Sequence, residues 1–397
     1  MVSTRAALPG RWLRRGAGGL LLVAVVLVGV PGMAAPPKGL PIGIFRAFPK
    51  VTVRGKWEDN IYKADGGAQS DRIAIIEPTI QFVTHWRKNQ LNLTVSGQVQ
   101  RFQNHPLENR EDHTLEVDWK VKPLRSLELN AGLSRIASHD ERGAPGTGAV
   151  KAMLEPNAWL ENVADGSAQY TSGRFRTVMK YGYHDKSSEN NDLSAQNRHW
   201  NDLGLTLMYA LAPKTALLTE LGWLGYVYDT TPLTDSEERR LLTGVTWTAT
   251  AKTEGELKVG VTSKDFADPA KEEATSLALS SNVKWKPHTW TTVNLSASRN
   301  FEEGEAGSGS YVNTILGADL EQQLRSWWVL TSNLRLTNSD YRTDRAEDLW
   351  TGGVGLEYRL PKWYVVGTEF SKSNKHSTMA NSDYDSNALM LFLTGAL

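Results

Sequence analysis

Residues Asn89–Phe102 read NQLNLTVSGQVQRF, and this stretch decides the fold. Leu91, Leu93, Val95 and Val99 share one parity; Asn92, Thr94, Ser96, Gln98 and Gln100 share the other. Successive side chains of a strand point to opposite faces, so the segment is a strand with one apolar and one polar face. A strand of a soluble sandwich runs about five or six residues. A strand that crosses a bilayer needs about nine to eleven, apolar outside and polar inside. The length of this run favours the second.

The same alternation recurs along the chain. In Thr114–Val121, Leu115, Val117, Trp119 and Val121 oppose Thr114, Glu116, Asp118 and Lys120. After Arg325, Trp328, Leu330, Leu334 and Leu336 oppose Thr331, Asn333, Arg335 and Thr337. Within Asp348–Leu360, Trp350, Val354, Leu356 and Tyr358 oppose Thr351 and Glu357.

Between these segments, short turns carrying a basic residue recur at Arg87-Lys88, Lys122-Pro123, Pro213-Lys214, Lys252, Lys286-Pro287, Arg325 and Pro361-Lys362. Neighbouring turns lie roughly 35 to 40 residues apart, one hairpin out and back across a bilayer plus a loop. Trp86, Trp119, Tyr209, Trp285, Trp290, Trp327, Trp328, Tyr358 and Trp363 cluster beside them, which suits an interfacial girdle. The alternating connections, such as Asp185–Gln196, Asp229–Glu237, Glu302–Ser310 and Lys375–Asp383, are longer and polar. Short turns belong to the periplasmic rim and long loops to the outside.

One interval, from Lys122 to Pro213, is twice the usual spacing, so a turn is missing near position 168. The stretch Ala164–Gly173, with its Asp165-Gly166 pair, is the expected place, and the strand before it is expected around Leu154–Val163. Eight short turns give an all-β, up-and-down antiparallel transmembrane β-barrel of eighteen strands. Sixteen strands with a folded-in loop is the other even count the spacing allows.

At the amino end, Arg5, Arg11, Arg14 and Arg15 precede the apolar run Ala17–Val30 and the small residues Ala34 and Ala35. That order reads as a cleaved signal peptide over 1–35; the run falls short of the roughly 20 residues a spanning helix needs. A proline-rich leader, 36–49, with Pro36, Pro37, Pro41 and Pro49, precedes a single barrel over 50–397. Leu389, Leu391, Leu393 and Leu397 alternate toward the carboxyl end, like the terminal signal read by the barrel-assembly machinery. Leu stands last in place of the commoner Phe, and Gly395 interrupts the pattern. The expected location is the outer membrane of a Gram-negative-type envelope, with outer-membrane lipid as the first partner.

Composition narrows the chemistry. The 397 residues carry 44 Lys+Arg against 44 Asp+Glu and no cysteine. Zero net charge argues against nucleic acid as a partner, and the lack of cysteine excludes disulfides, thiolate metal sites and a cysteine nucleophile. Of eight histidines, His105, His113, His139, His184, His288 and His376 fall in or near expected loops and turns. His85 and His199 fall on strands, and His85 is the best residue an enzyme reading could use. No catalytic, cofactor or metal site is expected. The acidic loop Asp185–Asp192 lacks the spacing and glycine of a calcium loop, and Gly143, Gly146 and Gly148 lack a strand-to-helix setting for phosphate.

The lumen is the one candidate site. By parity its lining includes Glu77, Gln81, Gln98, Gln100, Glu116, Asp118, Lys120, Glu128, Asn130, Arg176, Lys180, Asn294, Asn313, Asp319, Asn333, Arg335, Glu357 and Glu369. Lipid forbids polar side chains outside, which accounts for most of the set; its mixed signs suit a hydrated, hydroxyl-rich solute.

Four stretches add a resemblance. These are Ser296–Phe301 (SASRNF), Asp340–Arg345 (DYRTDR), Gly355–Leu360 (GLEYRL) and Asp383–Asn387 (DYDSN). In order and spacing they resemble the outer-membrane beta-barrel porin family associated with bacterial exopolysaccharide biosynthesis and export. The resemblance implies a polar-lined conduit without catalysis that helps exopolysaccharide cross the outer membrane, alongside a periplasmic polysaccharide-export protein. The alternatives are a diffusion porin for small hydrophilic solutes and a structural barrel with a blocked lumen. Tyr341, Arg345, Tyr384 and Asn387 are expected to anchor loops to strands.

Overall fold

The computed structural model describes residues 39–84, 86, 88–146, 155–248, 252–304, 310–342, 344–360 and 363–397. The segment read as a signal peptide, the first residues read as leader, His85, Arg87, Gly148 and Pro361-Lys362 lie outside the described residues.

A short strand, β1 (Leu40–Ile42), is followed by eighteen long ones. These are β2 (Phe45–Glu58), β3 (Asp71–Thr84), β4 (Asn89–Phe102), β5 (Arg110–Leu124), β6 (Leu127–His139) and β7 (Ala158–Ser172). Then come β8 (Phe175–Ser188), β9 (Arg198–Ala212), β10 (Thr215–Tyr228), β11 (Ser236–Trp247), β12 (Thr253–Phe266) and β13 (Ala274–His288). The ring ends with β14 (Thr291–Glu303), β15 (Ser310–Gln323), β16 (Trp328–Asp340), β17 (Ala346–Leu360), β18 (Tyr364–Ser377) and β19 (Tyr384–Ala396). Each long strand pairs antiparallel with the next, and β19 closes on β2 from Ala388 opposite Glu58 to Ala396 opposite Lys50. Closure leaves no unpaired edge, which is what a strand in lipid requires. Among the described residues no helix is long and apolar enough to cross a membrane.

The register fixes two faces. From Thr52 opposite Glu77 on β2 and β3, the pairing carries one parity around the ring and returns it to Thr394 opposite Thr52. The other parity carries the exposed apolar side chains, among them Leu133, Met179, Leu203, Val259, Leu277, Leu334 and Leu391. Leu277 is 71% exposed, a cost in water that lipid removes. The exposed Trp86, Trp119, Trp285, Trp290, Trp327 and Trp328 ring one end, beside the short connections.

Four boundaries differ from the sequence reading. The missing turn is Gly173-Arg174, with Gly173 at φ +58°, while Asp165-Gly166 lies inside β7. A turn dipeptide is a local preference only; here the ladders to β6 and β8 hold it extended. The strand expected around Leu154–Val163 is β7, displaced toward the carboxyl end. Lys122-Pro123 and Lys286-Pro287 lie in strand ends, and the turns follow them. The register shifts there, between Val121 and Leu124 and between Trp285 and His288, because proline cannot donate to a ladder. Finally, β1 and the start of β2 occupy residues read as leader. The long-loop limits also tighten, since Asp185–Ser188 and Lys375–Ser377 belong to strands, and with them His184 and His376.

The lumen and its extracellular constriction

The eighteen lumen candidates all fall on the face opposite the exposed apolar one. Glu77 and Gln81 stand on β3, Gln98 and Gln100 on β4, Glu116, Asp118 and Lys120 on β5, and Glu128 and Asn130 on β6. Arg176 and Lys180 stand on β8, Asn294 on β14, Asn313 and Asp319 on β15, Asn333 and Arg335 on β16, Glu357 on β17, and Glu369 on β18.

Some of them meet. Glu77 accepts from Arg54 Nε at 2.8 Å and from Gln98 Nε2 at 2.8 Å, and Gln100 donates on to Gln98 at 2.6 Å. Glu128 pairs with Lys120, and with Lys122 at 2.8 Å. Asn130 donates to Ser167 at 3.1 Å, and Ser339 bonds Asn313 at 3.1 Å. Asn294, Asp319 and Asn333 are direct cross-strand neighbours. Arg359 bridges Glu357 and Glu321, each at 2.9 Å. Glu116, Asp118, Arg176, Lys180 and Arg335 have no ion-pair partner among the described residues. Two water-accessible recesses, of about 360 and 330 Å³, flank β2 and share Lys50, Thr52 and Arg54.

The sequence reading missed Asp165 and Asp202. Asp118, Gly132, Asp165, Gly182 and Asp202 are successive cross-strand partners on β5 to β9, so carboxylates alternate with glycines along one lumen row. A Cβ at Gly132 would strike the Asp165 carboxylate, so glycine lets that side chain lie along the wall. Reading Asp165-Gly166 as a turn hid it; the signal that could have found it is the register, which a single strand does not carry.

The extracellular end is built differently. The β6–β7 connection leaves β6 at Asp140 and turns into the ring. Arg142, 6% exposed, donates to Glu108 Oε1 at 2.7 Å and sits over the Tyr62 ring. The Gly143 carbonyl accepts from Lys375 Nζ at 3.4 Å. The Gly146 N–H donates to the Tyr341 hydroxyl at 2.6 Å, and Tyr341 stacks on Tyr311 at 4.6 Å between centroids. Tyr311 belongs to β15, nine strands from β6 whichever way the ring is counted. The loop therefore reaches the opposite wall.

The wall that receives it is buried and charged. Glu347 takes Lys375 at 2.9 Å and Arg345 at 2.8 Å, and the Tyr341 hydroxyl donates to it at 3.4 Å. Glu58 takes Lys56 at 2.6 Å and also Lys63. On the far side, Lys264 pairs with Glu303, to which Tyr228 also donates at 2.9 Å, and Thr262 donates to Glu238 at 2.9 Å. Asn387 donates to Asp59 at 2.7 Å through its side chain, so Asn387, Tyr341 and Arg345 all tie loops to strands.

Two loop groups titrate far from their ordinary range. Burial pushes the Tyr341 phenol up, the Glu347 charge adds to it, and the group sits at about 12, so its hydroxyl keeps its proton. Crowding by the wall raises the Glu141 carboxyl, but the hydrogen bond from His139 and the charge of Arg110 outweigh it and hold the group at about 2. Among the described residues no group of three or more His, Asp or Glu side chains is placed to hold a metal.

A family model described as Putative beta-barrel porin 2 matches residues 34–396. The chain belongs to this family. That membership, with the closed eighteen-strand ring, places the porin-like barrel in the outer membrane. No curated protein matches it in sequence. Solved structures with a related barrel include OccAB3 of Acinetobacter baumannii, 10% identical over 88% of this chain and 99% of that one, TM-score 0.49. They also include the outer-membrane protein OpdK of Pseudomonas aeruginosa, 12% identical over 88% and 99%, TM-score 0.48. The ferric enterobactin receptor PfeA of the same organism is 10% identical over 88% and 80%, TM-score 0.47.

Proposed function

We propose that the barrel is a constricted, non-catalytic channel for small hydrophilic solutes, with the Asp140–Gly146 segment setting its calibre. The observation that carries this reading is the reach of that segment from β6 to Tyr311 and Tyr341 on the opposite side. An eighteen-strand ring is by itself wide enough for an aqueous channel, so a loop across it is what limits passage. Below the loop the mixed charges and amides of the wall favour hydrated solutes of either sign. The test is single-channel conductance in planar bilayers. The wild-type barrel conducts, and Arg142→Ala with Lys375→Ala, which frees the loop at two points, raises conductance by roughly twofold. A wild-type barrel that never conducts would favour a structural role.

Exopolysaccharide export is the second reading, favoured by the four carboxyl-terminal stretches quoted above, with a periplasmic polysaccharide-export protein as partner. It requires the loop to swing clear of Glu108 and Lys375. Deleting the gene separates the two readings: polymer release falls only if the barrel carries polymer.

A further inference from the structure

The whole chain is neutral, but its two rims are not. The eight short connections (85–88, 125–126, 173–174, 213–214, 248–252, 289–290, 324–327 and 361–363) contain eight Lys or Arg and no Asp or Glu. The nine long connections contain sixteen acids against six bases. Charge is thus sorted along the barrel axis.

The basic rim has a second property. Most of these cations stand within a few residues of an aromatic on or beside the lipid-facing wall: Lys88 by Trp86, Arg174 by Phe175, Lys214 by Tyr209, Arg325 by Trp327. Trp86 and Phe175 are exposed, as are Lys88, Arg125, Arg174, Lys214, Lys286 and Arg325. Indole rings settle at the headgroup level of a bilayer, and the turns are too short to carry their cations far below it. A cation at that depth meets lipid phosphate. Three outward-facing cations toward the other end serve as a contrast, because each has an acid beside it: Arg101 has Glu111, Arg239 has Glu237 and Asp265, and Lys372 has Asp385.

We propose that the short-turn rim binds the headgroups of anionic phospholipid in the periplasmic leaflet, seven of its eight turns offering a cation to the phosphate and the rim aromatics meeting the glycerol region. The rim tryptophans supply the readout. The full barrel is reconstituted in phosphatidylcholine vesicles containing either brominated phosphatidylglycerol or brominated phosphatidylcholine, and quenching of tryptophan fluorescence gives the relative affinity for the wall. The wild-type barrel prefers the anionic lipid by about fivefold at low salt, the factor that one Lys or Arg at an anionic surface supplies, and loses most of that in concentrated salt. The variant K88Q/R125Q/R174Q/K214Q/R325Q brings the ratio near unity, while R101Q/R239Q/K372Q leaves it unchanged. Heat-modifiable migration on gels shows whether each variant has folded; should the quintuple variant fail to fold, R174Q and K214Q alone each lower the ratio. Equal quenching of the wild type by the two lipids overturns the proposal and leaves the rim to an acidic protein. So does a rim variant that folds and keeps the full preference.

Discussion

Around the periplasmic end, β7 and β8 meet through Gly173-Arg174 and β9 and β10 through Pro213-Lys214, and the lumen wall beside β2 holds a recess lined by partly exposed side chains such as Arg54, Glu357 and Arg359. Around the extracellular end the ring is filled. Glu347, Lys264, Glu238 and Ser339 are almost fully buried there, and a loop has crossed to the far wall. The same eighteen strands form both ends. What differs is the environment of their charges: solvated pairs below, desolvated and multiply bonded pairs above.

The sharpest test compares one ion pair from each end. Removing the carboxylate with Glu347→Ala takes the counter-charge from buried Lys375, and breaking a buried pair costs about 3 to 5 kcal/mol. Removing Glu321 opposite Arg359, where both side chains are about half exposed, should cost roughly 0 to 1 kcal/mol. Urea unfolding in lipid, followed by tryptophan emission, measures both. Similar costs at the two ends would erase the contrast.

The wall itself is the next test, because it should not care which end is which. Leu334→Arg places a cation in lipid near the middle of β16 and should cost about 2 to 4 kcal/mol, whereas Asn333→Arg turns into water and should cost under about 1 kcal/mol. Leu93 and Gln98 on β4 form the matching pair. Equal penalties on the two parities would contradict the register on which the lumen rests.

These two tests also mark what was legible. Strand length and a two-residue period, read strand by strand as in Asn89–Phe102, put the candidates from Glu77 to Glu369 on one parity, because lipid enforces the alternation residue by residue. Turn count came from the spacing of Lys and Pro, although the turn at Gly173 was placed several residues early. The extracellular half was not legible. Arg142, Lys375 and Glu347 lie far apart in sequence, and their meeting depends on a loop folding inward, for which no local period exists. Asp165 was hidden for a related reason: local turn preference and ladder pairing disagree there, and the ladder wins.

Titration separates the ends more gently. Glu141 carries a folded value of about 2, below the ordinary carboxylate value, so its contribution to holding the loop base is present above that ordinary value and disappears as pH falls toward 2. Tyr341 is shifted upward instead, so its hydroxyl's donation to Glu347 is intact below the ordinary phenol value near 10 and gives way to phenolate–carboxylate repulsion as pH rises through about 12, which pushes the seat of the Gly146 end off the wall. Conductance should therefore stay level between roughly pH 5 and 9 and rise outside that window. Glu141→Gln should flatten the acid limb alone.

The smallest effect belongs to the lumen row of Asp118, Asp165 and Asp202. These carboxylates face water and hold no buried cation, so replacing all three by Asn should leave unfolding unchanged within about 0.5 kcal/mol. Their charge still acts on passing ions. Carboxylates on a channel wall favour cations, and with Lys180 and Arg176 on the neighbouring strand partly offsetting them, the loss should lower cation-over-anion permeability by roughly twofold. Reversal potentials in a salt gradient measure the ratio. A triple variant with unaltered selectivity would mean that permeation is governed wholly at the Arg142 loop, and that the open half contributes width but no discrimination.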